Sequence, residues 1–486
     1  MRHFPVLHVL LLLLVSLVSP LSTPTPPAKS FHCNNDNIDN VLFSRNTVTT
    51  LTSSLDKKQK TLFDSLCENV QLKSPTKIQS LAWPALLKPP TGPTPPAVVI
   101  TDATGSGKTL AYLLPTIHSL LSLPSHKPHK PDTLATPNLL ILCPTVELCY
   151  QVSTVVNGLL KGRARVVTAT SVDDNGGVCV ERGQVRDLRQ RGCGVIVGTP
   201  GRVSKLVGKG FEVGSVGGVV MDEIDVLLSD ESFRPDLRKI CGGVGDGARF
   251  VFVTATLPGV TKDVIKEEFG TVVMVKGPGA HKTPETLTCE LVDVSVEGGV
   301  DGEEGTKVKL DKLVEVLGRK RCSRSVVFCN TVENCRKVEN YLRRKDRTQK
   351  RWRVGCYHGG VSGGRRVAVL KRFGEEVEGG VDQILVCTDR AARGVDFGGK
   401  GVGHVVVFDF PKDPAEYVRR VGRAGRAGRE GAVSVLAYGW QLPVARQSMK
   451  KDGGEVDVYF AEIDDGEMWS AKKKTVDIIK PGQKSR

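Results

Sequence analysis

Short apolar runs recur along the first half of the chain: Ala97–Ile100, Leu139–Leu142, Val195–Val197, Gly218–Met221, Phe250–Val253 and Val272–Val275. Their length and β-branched content predict buried strands. Directly after the first run, apolar residues fall at 110, 113, 114, 117, 120 and 121, which is helical spacing. The other runs are separated by longer segments, as a parallel sheet with crossover helices requires. The second half repeats the theme at Glu290–Val294, at Ser325–Thr331 (strand, then turn) and at Gln383–Asp389. The pattern predicts an α/β protein with a parallel sheet. In such sheets the chemistry gathers at the carboxyl ends of the strands, and the polar clusters of this chain sit there.

Composition narrows the partners. The chain has 486 residues, with 68 Lys plus Arg against 53 Asp plus Glu, a formal charge of +15. Length indicates roughly two to three domains. An apolar share of 40% excludes a wholly disordered chain, and 52 glycines without a fixed period exclude collagen. The basic pI, about 9.2, favours a polyanionic partner, nucleic acid ahead of a membrane surface. The 13 cysteines contain no C-x-x-C pair, which removes the signature of zinc ribbons and thioredoxin-type redox sites. They are expected to be reduced core residues.

The strongest chemical signal is Asp102-Ala103-Thr104-Gly105-Ser106-Gly107-Lys108-Thr109, between a strand and a helix. That is a phosphate-binding loop in its required context. Thr104, Gly105, Ser106 and Gly107 would present backbone N–H groups to ATP. Lys108 would place a point charge on the β/γ-phosphates, and the Thr109 hydroxyl would ligate Mg²⁺. After Val219-Val220-Met221 come Asp222-Glu223-Ile224-Asp225. Asp222 is expected to hold Mg²⁺ through water, and Glu223 to orient and deprotonate the attacking water.

With these residues in place, the chain resembles a DEAD-box RNA helicase of helicase superfamily two, over about Leu72 to Val435. Ser74-Pro75-Thr76-Lys77-Ile78-Gln79 resembles the Q motif, which implies that Gln79 reads the adenine edge. Pro144–Leu148 with Gln151, Gly176-Gly177, and Thr199–Arg202 resemble RNA-backbone motifs. Thr254-Ala255-Thr256 resembles the element coupling hydrolysis to strand separation, and the resemblance implies that Asp225 takes part in that coupling. In the second half, Tyr357-His358-Gly359-Gly360 with Arg366 resembles the H-G-D…R element. Tyr417 to Arg426 carries Arg419, Arg420, Arg423 and Arg426.

The resemblance implies two tandem RecA-like domains, each a parallel sheet flanked by helices, with the ATP site in the cleft. It implies that Arg423 and Arg426 act as arginine fingers and that Asp396 contacts the ribose. Backbone contacts to RNA fall on Thr145, Gly177, Thr199, Arg202, Arg366 and Thr388, so little base specificity is expected. Structured or duplex RNA is the expected partner, with RNP assembly proteins as candidate further partners, ATP and Mg²⁺ the cofactors, and a monomer the expected state. An ATP-gated RNA clamp with weak or no unwinding, a DNA-directed translocase and a non-catalytic protein are the alternatives.

Several positions depart from the family. Asp102 replaces Ala, Val146 replaces Arg, Ile224 replaces Ala, Thr254 replaces Ser, Gly360 replaces Asp, Arg419 replaces His, and Leu72 stands where an aromatic is common. A carboxylate at 102 would oppose the phosphates unless it points away. The other changes touch RNA grip and coupling more than hydrolysis.

The expected division is 1–20 signal-like, 21–60 transit-like or disordered, 61–280 ATP-binding domain, 281–289 linker, 290–446 C-terminal domain and 447–486 basic tail. Val6–Val18 is too short for a membrane span of about 20 residues and matches a secretory signal. With the Ser/Thr-rich stretch after it, this resembles the two-part plastid address of algae with complex plastids. No stable membrane insertion is expected of the mature chain. A mitochondrial location, or a nuclear or cytoplasmic one if the signal does not work, is the alternative. Glu297–Thr306 is expected to be a solvated loop, and the Lys472–Lys474 tail to add non-specific RNA affinity.

Overall fold

The computed structural model describes residues 44, 46–88, 95–122, 128–173, 176–280, 287–295, 303–320, 322–375, 380–389, 401–411, 414–425 and 430–449. Two sheets organise it. The first contains β1 (Ala97–Thr101), β2 (Leu139–Leu142), β3 (Val166–Ala169), β4 (Val195–Gly198), β5 (Gly218–Asp222), β6 (Arg249–Thr254) and β7 (Val272–Lys276). Their spatial order is β3-β4-β2-β5-β6-β1-β7. The second contains β8 (Leu287–Asp293), β9 (Arg324–Cys329), β10 (Trp352–Tyr357), β11 (Asp382–Thr388), β12 (His404–Val407) and β13 (Gly431–Ala437), ordered β10-β11-β9-β12-β13-β8. Every pairing in both sheets is parallel.

Both faces of each sheet are covered, which is why the strands read as continuous apolar runs. Successive strand residues point to opposite faces. Val98, Ile100, Leu139 and Ile141 enter one core with the helices Lys57–Asn69, Lys77–Leu87, Lys108–Ser122 and Val146–Leu160. Val99, Leu140 and Leu142 enter the opposite core, under helices that include Pro200–Leu206 and Arg234–Cys241. The second sheet divides the same way, with Val326 and Phe328 on one side and Val327 and Cys329 on the other. Eight of the described cysteines are buried, where each behaves as a small apolar side chain.

Strand order sets the site. β5, β6 and β1 are neighbours, and Thr101 pairs with Thr254 while Asp222 pairs with Val253. The loop after β1, the acidic turn after β5 and the threonines after β6 therefore emerge side by side.

Several boundaries differ from expectation. Helix Val48–Leu51 and helix Lys57–Asn69 already belong to the first domain. A capping box of Asp56 and Gln59 starts the latter helix, and Phe63 and Leu66 bury it against Trp83. The second domain starts at Leu287, not Glu290, because Leu287 pairs with Gly431 and is buried. Residues 303–306 are helical, within Glu303–Arg319, where a loop was expected. Helix Gln441–Met449 runs past 446 and buries Ala445 and Ser448. The strands β3, β10, β12 and β13 were not read from the sequence; β3 and β10 are edge strands whose apolar runs are broken by Thr168 and Arg353. The amino-terminal 43 residues, most of the linker and most of the tail lie outside the described residues.

Among the described residues, no helix is long and apolar enough to cross a membrane.

Candidate active site and nucleic-acid track

After β1 the chain turns through Asp102–Gly107 into the Lys108–Ser122 helix. Gly105 and Gly107 have φ of 78° and 97°, in the left-handed region that favours glycine. A Cβ on Gly107 would also lie 2.8 Å from Gln79 Nε2. Lys108 Nζ donates to the carbonyls of Asp102 at 2.8 Å and Ala103 at 2.7 Å, folding the ammonium over the loop. Ser106 Oγ is buried without a hydrogen-bond partner among the described residues. An orphaned buried hydroxyl in a loop of turned amides fits an oxyanion ligand. Thr109 occupies the first turn of the helix.

Gln79 is buried and sits at N3 of helix Lys77–Leu87 in a capping box with Thr76. Its Oε1 accepts from Thr76 N–H at 2.9 Å, and its Nε2 donates to Gly107 O at 3.2 Å. This braces the phosphate loop while leaving one amide hydrogen and one lone pair of the carboxamide.

The Asp102 carboxylate turns to the segment after β7. Its Oδ1 accepts from Gly279 N–H at 2.8 Å and from Ala103 N–H at 2.9 Å. Two backbone amides thus hold the charge that would otherwise oppose phosphate.

At the end of β5, Asp222 Oδ2 accepts from Tyr112 OH and Oδ1 from Glu223 N–H, both at 2.9 Å. Burial, and then the neighbouring Glu223 carboxylate, pushes the Asp222 carboxyl up to about 7. A cation at Thr109 and Asp222 would favour the ionised form. Among the described residues no group of three or more His, Cys, Asp and Glu could hold a metal ion. Mg²⁺ suits such a sparse set, because it keeps waters and takes substrate phosphates. Glu223 has φ 52°, a conformation that costs about 1–3 kcal/mol and clusters at functional sites.

The two domains meet over this corner. Asp225 Oδ2 accepts from Thr256 Oγ1 at 2.9 Å and from Arg419 Nη1 at 2.6 Å, and Arg419 Nη1 also reaches Thr256 Oγ1 at 3.2 Å. The Asp225 and Arg419 side chains are 2% and 10% exposed, so solvent screens this ion pair little. Thr254 Oγ1 donates to Thr256 O at 2.6 Å, shaping the turn that presents Thr256. A second contact crosses at the phosphate loop, where Thr104 Oγ1 donates to Gly422 O at 2.7 Å. Arg423 follows in the same turn and is buried. Arg426 and Asp396 lie outside the described residues.

The expected RNA contacts fall at strand ends and helix starts, apart from Gly177, which lies in a loop. Thr145 caps helix Val146–Leu160 by accepting from Leu148 N–H at 3.3 Å. Gly177 N–H donates to Asp173 Oδ1 at 2.6 Å. Thr199 precedes helix Pro200–Leu206, Arg202 Nη2 holds Cys179 O at 2.9 Å, and Thr388 ends β11. Arg366 faces the first domain, 3.6 Å from Glu147. Gly176 lies so close to Gly364 that a Cβ there would be 2.3 Å from its Cα.

Sequence reasoning grouped Arg420 with the other arginines and missed its work. Arg420 is 1% exposed, pairs with Asp389 through Nε and Nη2, and donates to Asp409 O and Asn330 Oδ1. The Asp409 carboxylate in turn takes Lys309, Asn334 Nδ2 and Asn330 N–H. The available signal was Asp409, a lone carboxylate within the apolar stretch Val405–Phe410.

These features define a class: a two-domain nucleotide-binding protein with a composite site in the cleft. Residues 76–264 match the DEAD/DEAH box helicase family, and residues 308–428 match the helicase conserved C-terminal domain. The chain belongs to the DEAD-box RNA helicase family. It is similar to DEAD-box ATP-dependent RNA helicase 50 of Oryza sativa subsp. japonica, 36% identical over 385 residues, 78% of this chain and 57% of the relative. The protein of that name in Arabidopsis thaliana is 34% identical over 364 residues, 73% of this chain and 45% of the relative. The chain thus spans about half the length of these curated relatives. Among solved structures, S. cerevisiae Dbp5 bound to RNA and ADP BeF3 superposes with a TM-score of 0.64 at 22% identity, covering 89% of this chain and 98% of that one. Mss116p bound to ssRNA and AMP-PNP gives 0.64 at 22% identity, covering 84% and 78%. This likeness shows the fold, two tandem RecA-like domains.

Proposed function

We propose that the protein is an RNA-stimulated ATPase that couples ATP hydrolysis to local separation of RNA strands. The observation that carries this reading is the seam itself: Thr104 to Gly422 and Asp225 to Arg419 bring the arginine-bearing turn over the phosphate loop and acidic corner. The curated relatives are named ATP-dependent RNA helicases, and the +15 charge suits a polyanion.

In this reading the loop amides of Thr104–Gly107 and Lys108 grip the phosphates, and Gln79 meets the base. Thr109 and Asp222 would hold Mg²⁺, which supplies charge neutralisation on the phosphates when bound. Glu223 orients the attacking water and takes its proton. Arg423 and Arg426 disperse charge on the transferring phosphoryl group, and Asp396 holds the ribose. ATP and RNA each favour the closed cleft, so the binding of one strengthens the other. Thr145, Gly177, Thr199, Arg202, Arg366 and Thr388 line the RNA backbone. Asp225, Thr254 and Thr256 pass closure between the sites.

The test is ATP turnover with and without RNA, beside Glu223→Gln. RNA should raise turnover, and the variant should lose about 10²–10⁴-fold, the usual range for a general base. Equal, negligible turnover in both would sink the hydrolytic reading and leave the ATP-gated clamp. Single-turnover duplex displacement then measures unwinding. The same reading extends to a monomer acting in RNP assembly and to delivery into an organelle, a complex plastid, by residues 1–60. A fluorescent fusion of those residues that stayed cytosolic would contradict the delivery.

A further inference from the structure

The second domain carries a basic groove outside the site described above. β10 is the edge strand of its sheet, and the groove lies along it, walled by the helices Val332–Lys345 and Gly363–Gly374. It encloses about 1220 Å³, with five arginines against two glutamates, Glu339 and Glu375. The arginines are in register. Arg336 and Arg343 are seven residues apart on one helix, Arg365 and Arg372 seven apart on the other, and Arg353 rises from the strand between them. Residues spaced by seven share a helix face, so each helix carries a guanidinium row, and the two helices, packed on opposite faces of the sheet, flank its β10 edge. Arg343 is paired with Glu339 at 2.8 Å. Arg336, Arg353, Arg365 and Arg372 are exposed and form no salt bridge with any described residue.

One departure from the family opens this groove. Position 360 is Gly where the family usually has Asp, and a Cβ there would stand 3.3 Å from Arg336 Nη2. A carboxylate at 360 would neutralise Arg336; glycine leaves it available. Position 360 also joins the groove to the RNA track, because His358, Gly360 and Ser362 line the groove at the end where Arg366 sits.

We propose that this groove is a second RNA-binding segment, holding single-stranded RNA that continues past the core track along β10. The inference rests on the RNA reading above. The six residues of β10 give a path of about 20 Å at roughly 3.3 Å per residue. No exposed aromatic lines the groove, so it grips phosphate rather than bases and its contribution is electrostatic and sequence-independent.

The test compares the full chain with a variant carrying Arg336→Ala, Arg353→Ala, Arg365→Ala and Arg372→Ala, and with Gly360→Asp. Affinity is measured with a non-hydrolysable ATP analogue for two single-stranded RNAs, one just filling the core track and one longer at both ends. The quadruple variant should lose about tenfold or more on the long RNA only, and its salt slope should fall by about 3, four contacts at roughly 0.7 each. Gly360→Asp should show the same selective loss, less pronounced, and Arg→Lys at all four sites should restore most binding. Unchanged affinity for the long RNA, or an equal loss on both lengths, would overturn the proposal. So would loss of polyglutamate binding with long-RNA affinity intact, which would reassign the groove to an acidic polypeptide. If the unmodified chain bound neither RNA, the RNA reading itself would fall, an outcome separate from a wild type that binds both lengths alike.

Discussion

The phosphate loop and the arginine-bearing turn of the second domain face each other across the cleft, yet they are built by opposite means. The loop is held by backbone: left-handed glycines, carbonyls that fix Lys108, and amides that fix Asp102. It leaves Ser106 Oγ without a described partner, which suits a site completed by a ligand. The arginine turn is held by side-chain charge. Arg420 is consumed by its own domain through Asp389, Asp409 and Asn330, while Arg419 one residue earlier crosses to Asp225 and Thr256. Adjacent residues of one type therefore do different work, and burial with named partners separates them where sequence spacing cannot.

Breaking that contrast should cost most at Arg420. Arg420→Ala removes a fully buried guanidinium and leaves Asp389, whose side chain is 15% exposed, without its partner; we expect a loss of about 3 kcal/mol in denaturant unfolding of the second domain. Arg420→Lys should recover little, since a point charge cannot replace the fork. A loss under about 1 kcal/mol would mean Arg420 is not structural.

The second domain should also carry the acid sensitivity. Burial, and then Lys320, pushes the His404 imidazole down from its ordinary 6.5 to about 4, and its Nε2 meets Ser434 Oγ at 2.9 Å. The native state thus resists the proton that the unfolded chain accepts. Stability from this residue is complete above pH 6.5 and erodes as pH falls towards 4, by about 3 kcal/mol at about 1.4 kcal/mol per unit. Unfolding free energies from pH 8 to pH 4 should show that slope, and His404→Gln should flatten it. An unchanged slope would place the acid response elsewhere.

On the loop side, Asp102→Ala frees Gly279 N–H and should cost about 1–3 kcal/mol of stability, with ATP affinity unchanged within about threefold. A large gain in affinity would show that the carboxylate does oppose the phosphates. Gly107→Ala should weaken nucleotide binding at a strain of about 1–2 kcal/mol, since an alanine there would adopt positive φ against Gln79. Isothermal titration with an ATP analogue reads it.

Much of this was legible in the sequence, for physical reasons. Strands buried on both faces announce themselves as apolar runs, and a glycine-rich loop at a strand end has few other uses. The β5–β6–β1 adjacency follows from parallel pairing at long range, which spacing does not encode. The edge strands β3 and β10 are only partly buried and carry Thr168 and Arg353 within them, so they gave no continuous apolar run. Asp102 was legible as a departure, but its engagement with Gly279 depends on a segment more than 170 residues away. Arg419 was visible as a replacement for His, and only the fold shows it as an ion pair across the cleft.

The Asp225–Arg419 pair joins the two domains, and a double-mutant cycle tests its role most directly. RNA-stimulated ATP turnover would be measured for the unmodified chain, Asp225→Asn, Arg419→Ala and the double variant. We predict that each single change lowers stimulation about tenfold, roughly 1.4 kcal/mol, and that the double variant loses no more than either, because both remove one contact. Losses that multiply in the double variant, or stimulation that survives in Arg419→Ala, would contradict the claim that this contact joins the domains for catalysis.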